Sequence, residues 1–347
     1  MQKNCHYHKK FLTLPLLLAL VATGCDSLIY EDLEPCPTHY HLKLRYDYNM
    51  KYADAFASEV NSVAVWAFDT DGRLVWQHSE DGEALATDNY TIDVNLPDGR
   101  YDFVTWCGLA SDSPFAVDNG TPSSIRELGT TLSLTADSRA TGVSATALPG
   151  LYHSIRRGVA IESNPGVETD NEISLSLTKD TNYFKILLQN LDGSTMKEGD
   201  FSFRITGGNT RLEHDNSYGV GDIHDYHPWS LTSAEAGVVG STPTAGTITS
   251  VSSILAELHT SRLMADGDYE LIVTRSSDSK EIIHIPLVDY LLLVKGNYHS
   301  MSDQEYLDRQ DEYALTFFID KDSNWKRTTG IYINSWHVVP PQDSTLQ

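Results

Sequence analysis

His39-Tyr40-His41-Leu42-Lys43-Leu44-Arg45-Tyr46-Asp47-Tyr48 alternates without a break: Tyr40, Leu42, Leu44, Tyr46 and Tyr48 share one side, and His39, His41, Lys43, Arg45 and Asp47 the other. Successive side chains of a strand point to opposite faces, so this period of two predicts a strand with one buried face. The pattern continues downstream. Residues 63–68 and 74–77 flank Asp69-Thr70-Asp71-Gly72, and Tyr90, Ile92, Val94 and Leu96 lead into Pro97-Asp98-Gly99 before Tyr101 and Phe103 resume the alternation. Turn residues between alternating runs predict hairpins. Asp69-x-Asp71-Gly72 also resembles the start of a calcium loop. Arg73, however, stands where an oxygen ligand belongs and no bidentate Glu follows at the required distance, so the segment reads as a turn.

Residues 111–150 are rich in Ser, Thr, Gly, Asp and Pro and read as long loops with weak strands such as 131–135. Ser163-Asn164-Pro165-Gly166 marks a boundary, after which strands are predicted at 173–177, 183–189, 201–205, 254–263, 269–274, 282–285, 313–319 and 331–338. A helix is predicted over 303–310, opened by a capping box of Ser302 and Glu305. Regular strands with turn signals and scarcely any helix argue for an all-β protein of two tandem β-sandwich domains. The expected organisation is a signal segment (1–24), a tether (25–35), an N-terminal sandwich (36–165), a C-terminal sandwich (166–340) and a tail (341–347).

The amino terminus sets the compartment. Lys3, Lys9 and Lys10 precede an apolar run over 11–22, and Ala22, Thr23 and Gly24 lead into Cys25. Basic, apolar and small in that order is a secretory signal too short to span a bilayer, and small-small-Cys is the pattern of bacterial lipoproteins, with Cys25 the lipidated residue. The alternative is an ordinary cleaved signal with an incidental cysteine. Loss of residues 1–24 leaves 22 basic against 48 acidic residues, a charge of about -26. So acidic a chain repels phosphate backbones and anionic headgroups, which excludes nucleic acid as a partner and leaves membrane contact to the lipid. Of four cysteines, Cys5 leaves with the signal and Cys25 carries lipid. Cys36 and Cys107 remain, either as a disulfide suited to an oxidising compartment or as two separately buried thiols.

No nucleophile elbow, phosphate-cradling glycine loop or His-Glu-x-x-His motif occurs, so neither enzyme activity nor a cofactor is expected. Glu213, His214, Asp215, Asp222, His224, Asp225 and His227 hold enough nitrogen and oxygen donors for a divalent ion. They fall in a predicted loop of an acidic protein, where such residues are commonly just solvated, and no metal is assigned.

The sequence resembles the lipoprotein anchor and accessory subunits of type V fimbriae. In the first half the resemblance runs through Arg45-Tyr46-Asp47-Tyr48-Asn49-Met50, Asp54-Ala55-Phe56, residues 63–69 with Gly72, Gly99-Arg100-Tyr101 and Trp106-Cys107-Gly108-Leu109. In the second it runs through Ile285-Pro286-Leu287, residues 304–313, Phe317, Trp325 and Ile331-Tyr332-Ile333-Asn334-Ser335-Trp336. Ser335 departs from the family, which usually has Gly before Trp; a strand glycine permits close backbone approach, so a slightly different packing of the closing strand is expected.

The resemblance implies two transthyretin-like sandwiches, a lipid anchor in the outer membrane and a place at the base of a fimbrium on the cell surface, joined to the shaft subunit (fimbrillin) and limiting fibre length. Shaft subunits of this type lose their first strand to an arginine-specific protease. Here the first mature arginine, Arg45, lies inside the opening strand, so that strand is expected to stay. The joint to the shaft is expected to be strand complementation, with residues 331–338 and the tail to Gln347 as the donated strand and Ile331, Ile333 and Trp336 as the shaft interface, or else these residues complete the second domain's own core. The rival readings are a surface glycan-binding lipoprotein, for which Trp229 near Tyr226 is the suggestive pair, a metal-dependent hydrolase using the histidine-rich loop, and another accessory or tip subunit.

Overall fold

A computed structural model describes residues 38–111, 113–132, 143–163, 168–219, 221, 223–237, 250–298 and 300–339. Cys25, Cys36, the signal segment, the tether and the tail lie outside these.

The first sandwich opens with β1 (Thr38–Arg45), α1 (Phe56–Glu59), β2 (Ser62–Phe68), β3 (Leu74–Asp81), β4 (Ile92–Val94) and β5 (Gly99–Cys107). Three short strands follow, β6 (Phe115–Val117), β7 (Gly129–Leu132) and β8 (Val143–Ser144), and then β9 (Tyr152–Ile161), β10 (Thr169–Ser176) and β11 (Thr178–Lys179). The second half holds β12 (Thr181–Asn190), β13 (Phe201–Gly207), β14 (Arg211–Glu213), β15 (His224–Tyr226), β16 (Ser230–Gly237) and β17 (Ser250–Ser261). It continues with β18 (Glu270–Arg275), β19 (Lys280–Pro286), α2 (Leu287–Leu292) and α3 (Asp303–Arg309), and closes with β20 (Glu312–Ile319), β21 (Ile331–Ile333) and β22 (Trp336–Val338).

Two sandwiches result. In the first, a sheet ordered β10-β1-β4 faces one ordered β11-β9-β5-β2-β3; in the second, β16-β17-β12-β20-β21-β22 faces β19-β18-β13-β15-β8. Leu42, Leu44, Val63, Val65, Phe103, Ile173 and Leu175 fill the first core. Strands β2 and β5 are buried on both sides, because their other face, with Trp66, Phe68, Val104 and Trp106, joins the larger core that continues into the second sandwich. A strand covered on two faces loses the polar alternation of a half-exposed one, which explains the apolar run from Val63 to Phe68.

Two expectations need correction. The boundary near 166 falls too early, because β10 pairs parallel with β1 from Thr38↔Thr169 to Arg45↔Ser176 and so completes the first sandwich. The passage between domains is at Lys179-Asp180-Thr181, where β11 runs into β12 with a single residue between. Second, the region read as loops is partly ordered against the other half: β7 pairs with β14, β6 with β7, and β8 with β15. The helix, by contrast, begins as expected, with Ser302 Oγ accepting from the Glu305 amide at 3.0 Å. Among the described residues no helix is long and apolar enough to cross a membrane.

Candidate functional site

The opening strand sits in the middle of its sheet. On one side it pairs parallel with β10 over eight residue pairs, and on the other antiparallel with β4 from Tyr40↔Val94 to Leu42↔Ile92. Leu42 and Leu44 are fully buried beneath it; at about 1.5–3 kcal/mol for each such side chain, their burial makes removal of the strand costly. Its outer side is tied by polar contacts, His41 Nδ1 lying 3.1 Å from Asp170 Oδ1 and Arg45 Nη2 donating to Glu172 at 3.3 Å.

Both sides of the Arg45–Tyr46 peptide bond are engaged. The Arg45 carbonyl accepts from the Leu177 amide at 2.8 Å, and the Tyr46 amide donates to Asp54 Oδ1 at 2.9 Å. The Tyr46 ring is buried, edge-on to Tyr152 at 5.1 Å. A protease must bind its substrate as an accessible extended segment, and this one is already built into a sheet.

Cys107 ends β5, buried in the first core as a free thiol, and burial pushes its pKa up. It lies opposite Val63 and Tyr152. The start of β1 is at the far end of the sandwich, where Tyr40 Oη donates to the Glu162 carbonyl beside Gly99↔Ile161. Six residues of strand separate Tyr40 from Tyr46, about 20 Å, whereas the two residues from Cys36 to Thr38 reach only about 7 Å. A bond to Cys107 needs Cα atoms within about 7 Å, a span that two residues beyond Thr38 do not cover; Cys36 itself lies outside the described residues.

The closing segment is a hairpin and not one strand. Strand β21 pairs with both β20 and β22, and Asn334 and Ser335 turn between Ile333↔Trp336 with φ of 47° and 72°. Ser335 is thus a left-handed turn residue, which explains the family's glycine there more directly than close packing does. Ile331 and Ile333 are fully buried in the second core, while Trp336 on β22 is exposed. The two isoleucines complete their own domain, and of the three expected interface residues Trp336 is the one exposed to a neighbour.

The histidine-rich loop is dispersed. Glu213 binds Arg211 Nε at 3.1 Å, Asp215 caps Ser217, and Asp225 faces Arg204 at 3.7 Å. His224 is buried edge-on to Tyr226, burial of His227 lowers its pKa, and the His214 carbonyl accepts from His153 Nε2 at 2.9 Å. Asp222 lies outside the described residues. Among the described residues no three acidic, histidine or cysteine side chains are grouped to hold a metal. Tyr226 is fully buried and donates to Asn209 Oδ1 at 2.7 Å, so it does not form a surface with Trp229. The indole of Trp229 instead stacks on His259 at 6.0 Å, an arrangement the sequence spacing could not show.

Two β-sandwiches share one buried junction, and among the described residues no acidic, histidine or cysteine side chains are grouped to hold a metal. The family described as fimbrillin-A associated anchor proteins Mfa1 and Mfa2 matches residues 33–339, and the chain belongs to it. That family is one of structural anchor proteins, not of enzymes. A candidate adhesin from Bacteroides thetaiotaomicron VPI-5482 is 34% identical with a TM-score of 0.74, covering 89% of this chain and 99% of that one. A candidate polysaccharide-binding protein from the same bacterium is 28% identical with a TM-score of 0.71, over 88% of this chain and 99% of that one. The fimbrial anchor protein Mfa2 from Porphyromonas gingivalis, 16% identical with a TM-score of 0.61 over 88% and 99% of the two chains, shares the fold. No curated protein matches.

Proposed function

We propose that this chain anchors the base of a fimbrium in the outer membrane, through lipid on Cys25, and ends the fibre there instead of extending it. Membership of the anchor family supports the fimbrial role. The seating of β1 between β4 and β10 is the observation that carries termination. A subunit that lost this strand would open a groove with unpaired main chain on both walls, able to take a strand from a neighbour. Here the groove is filled by the chain's own residues, and the bond after Arg45 is held by Leu177 and Asp54. The shaft subunit must then join elsewhere, by strand pairing at another edge. The test is deletion of the gene: fimbriae found free in the medium and longer than normal support an anchor, and fibres retained at normal length refute it.

A second reading, a surface polysaccharide-binding lipoprotein, draws on the 28% identical relative and on the half-exposed Trp229. A polysaccharide binding screen separates it from the first.

A further inference from the structure

We propose that the free edge of β16 receives an extended, basic strand from a fimbrial subunit, an inference that rests on the anchor reading above. Strand β16 is the outer strand of the six-stranded sheet, paired on its inner side with β17 from Ser230↔Glu257 to Gly237↔Ser250 without a bulge. Six of its eight residues are exposed, it contains no proline, and its one charge is Glu235.

Proteins blunt long edges with charges, prolines, bulges or short strands, since a row of unpaired amides and carbonyls templates pairing with another chain. The other long edges here have such features. Strand β10 carries Asp170 and Glu172, β3 ends in Glu80-Asp81 and pairs through an irregularity, and β19 has Lys280-Glu281, a shift in register and Pro286. At the opposite side of the same sheet, β22 is three residues long. Among the described edge strands β16 alone is long, regular and nearly uncharged. The Ser233 amide donates to Glu198 Oε1 at 3.4 Å and so points away from β17. By the alternation of an antiparallel ladder, the amides of Leu231, Glu235 and Gly237 point the same way.

Trp229, immediately before the strand, gives this edge an anchor. It is 40% exposed. Its ring stacks on His259, His259 stacks on Tyr183 at 4.9 Å, and Lys185 Nζ sits 4.8 Å from the Tyr183 centroid. The column is closed by a cation at Lys185 and ends at the indole, where a side chain of an added strand can lie.

Charge selects the occupant. Glu198 and Glu235 accompany the edge, neither β16 nor β17 contains Lys or Arg, and the nearby Lys185 lies on β12 opposite Glu257. Pairing with a second copy would bring together two edges that carry carboxylates and no Lys or Arg, which is unfavourable for like charge, whereas a strand bearing Lys or Arg is attracted.

The test uses the full-length protein immobilised by its lipid and fimbriae sheared from the same cells as the probe. Ser233→Pro removes an outward amide, together with its long bond to Glu198, without touching the β17 ladder, and is expected to weaken fibre capture about tenfold or more, as loss of a central contact does. Trp229→Ala should weaken it several-fold, and Glu198→Gln should flatten its salt dependence. These two variants keep the test open if the proline variant fails to fold. Capture unchanged in all three overturns the inference and leaves the anchor reading standing; no capture by the wild type removes both. A dimer in sedimentation that Ser233→Pro dissociates would overturn it by making a second copy the occupant. Polysaccharide binding lost in Trp229→Ala, with fibre capture intact, would overturn it as well.

Discussion

Arg262 holds Asp308 in parallel, Nε donating to Oδ1 at 2.9 Å and Nη2 to Oδ2 at 2.8 Å, inside the second half of the molecule. Asp180, the single residue between β11 and β12, lies 3.6 Å from the same guanidinium and accepts from Asn216 Nδ2 at 2.8 Å. Gln304 donates to Asp308 and to the Leu263 carbonyl. The polypeptide passing between sandwiches is therefore fixed to α3 and to β17's end by buried polar bonds. Around this, Lys179 bridges Glu59 and Asp311 at 3.0 and 2.7 Å, and the Met50 amide donates to the Arg309 carbonyl. Such a joint couples one domain to the next with one residue between β11 and β12.

Breaking this pair is expected to be severe. Asp308→Ala leaves the Arg262 guanidinium buried with half its partners, a situation that costs about 3–5 kcal/mol. Urea unfolding of the variant should show that loss, and a loss below about 1 kcal/mol would show that the clamp contributes no more than a surface ion pair.

His153 makes stability depend on acid. Burial lowers its pKa to about 3, and it donates to the His214 carbonyl as a neutral ring. The unfolded chain takes up a proton near the ordinary histidine value while the folded chain does not. Its contribution is therefore complete above about pH 6.5 and is lost as pH falls towards 3. His259, lowered to about 4 chiefly by burial, acts in the same direction. Asp180, raised to about 7 chiefly by burial, acts oppositely, since its folded form retains a proton the unfolded form has released. The diagnostic quantity is the difference between wild type and His153→Gln. Urea midpoints at pH 7 and pH 4.5 should converge in the variant, and an unchanged gap would contradict the assignment.

Ser335→Gly should stabilise the protein by about 1 kcal/mol, because a residue with a Cβ pays about 1–2 kcal/mol to hold a left-handed conformation. Thermal melting reads this directly. A destabilised variant would show that the Asn334-Ser335 turn is held by something other than backbone geometry.

Cys107 should resist alkylation in the folded protein and react fully in guanidinium without reductant. Mass analysis of the unfolded, unreduced chain with Cys107 still unlabelled would restore the disulfide.

The opening strand was legible because Leu42, Leu44 and Tyr46 recur every second residue and all are buried, and the helix at Ser302 because its cap is local. The partner of that strand was not legible. Strand β10 lies more than 120 residues away and pairs in parallel, so no turn fixes its register, and Ser163 to Gly166 looked like a boundary for lack of any local sign of what followed. Ile331 and Ile333 alternate as well in a hairpin as in a single strand; only the positive φ of Asn334 and Ser335 distinguishes the two. The column of Trp229, His259 and Tyr183 brings together three strands or strand ends, whereas Tyr226, close to Trp229 in sequence, belongs to β15 in the facing sheet.

The most direct test of an anchor that keeps its own first strand is the intact mass and N-terminal sequence of the protein extracted from outer membranes. The account predicts an acylated chain beginning at Cys25 with residues 38–45 in place. A chain beginning at Tyr46 would contradict it.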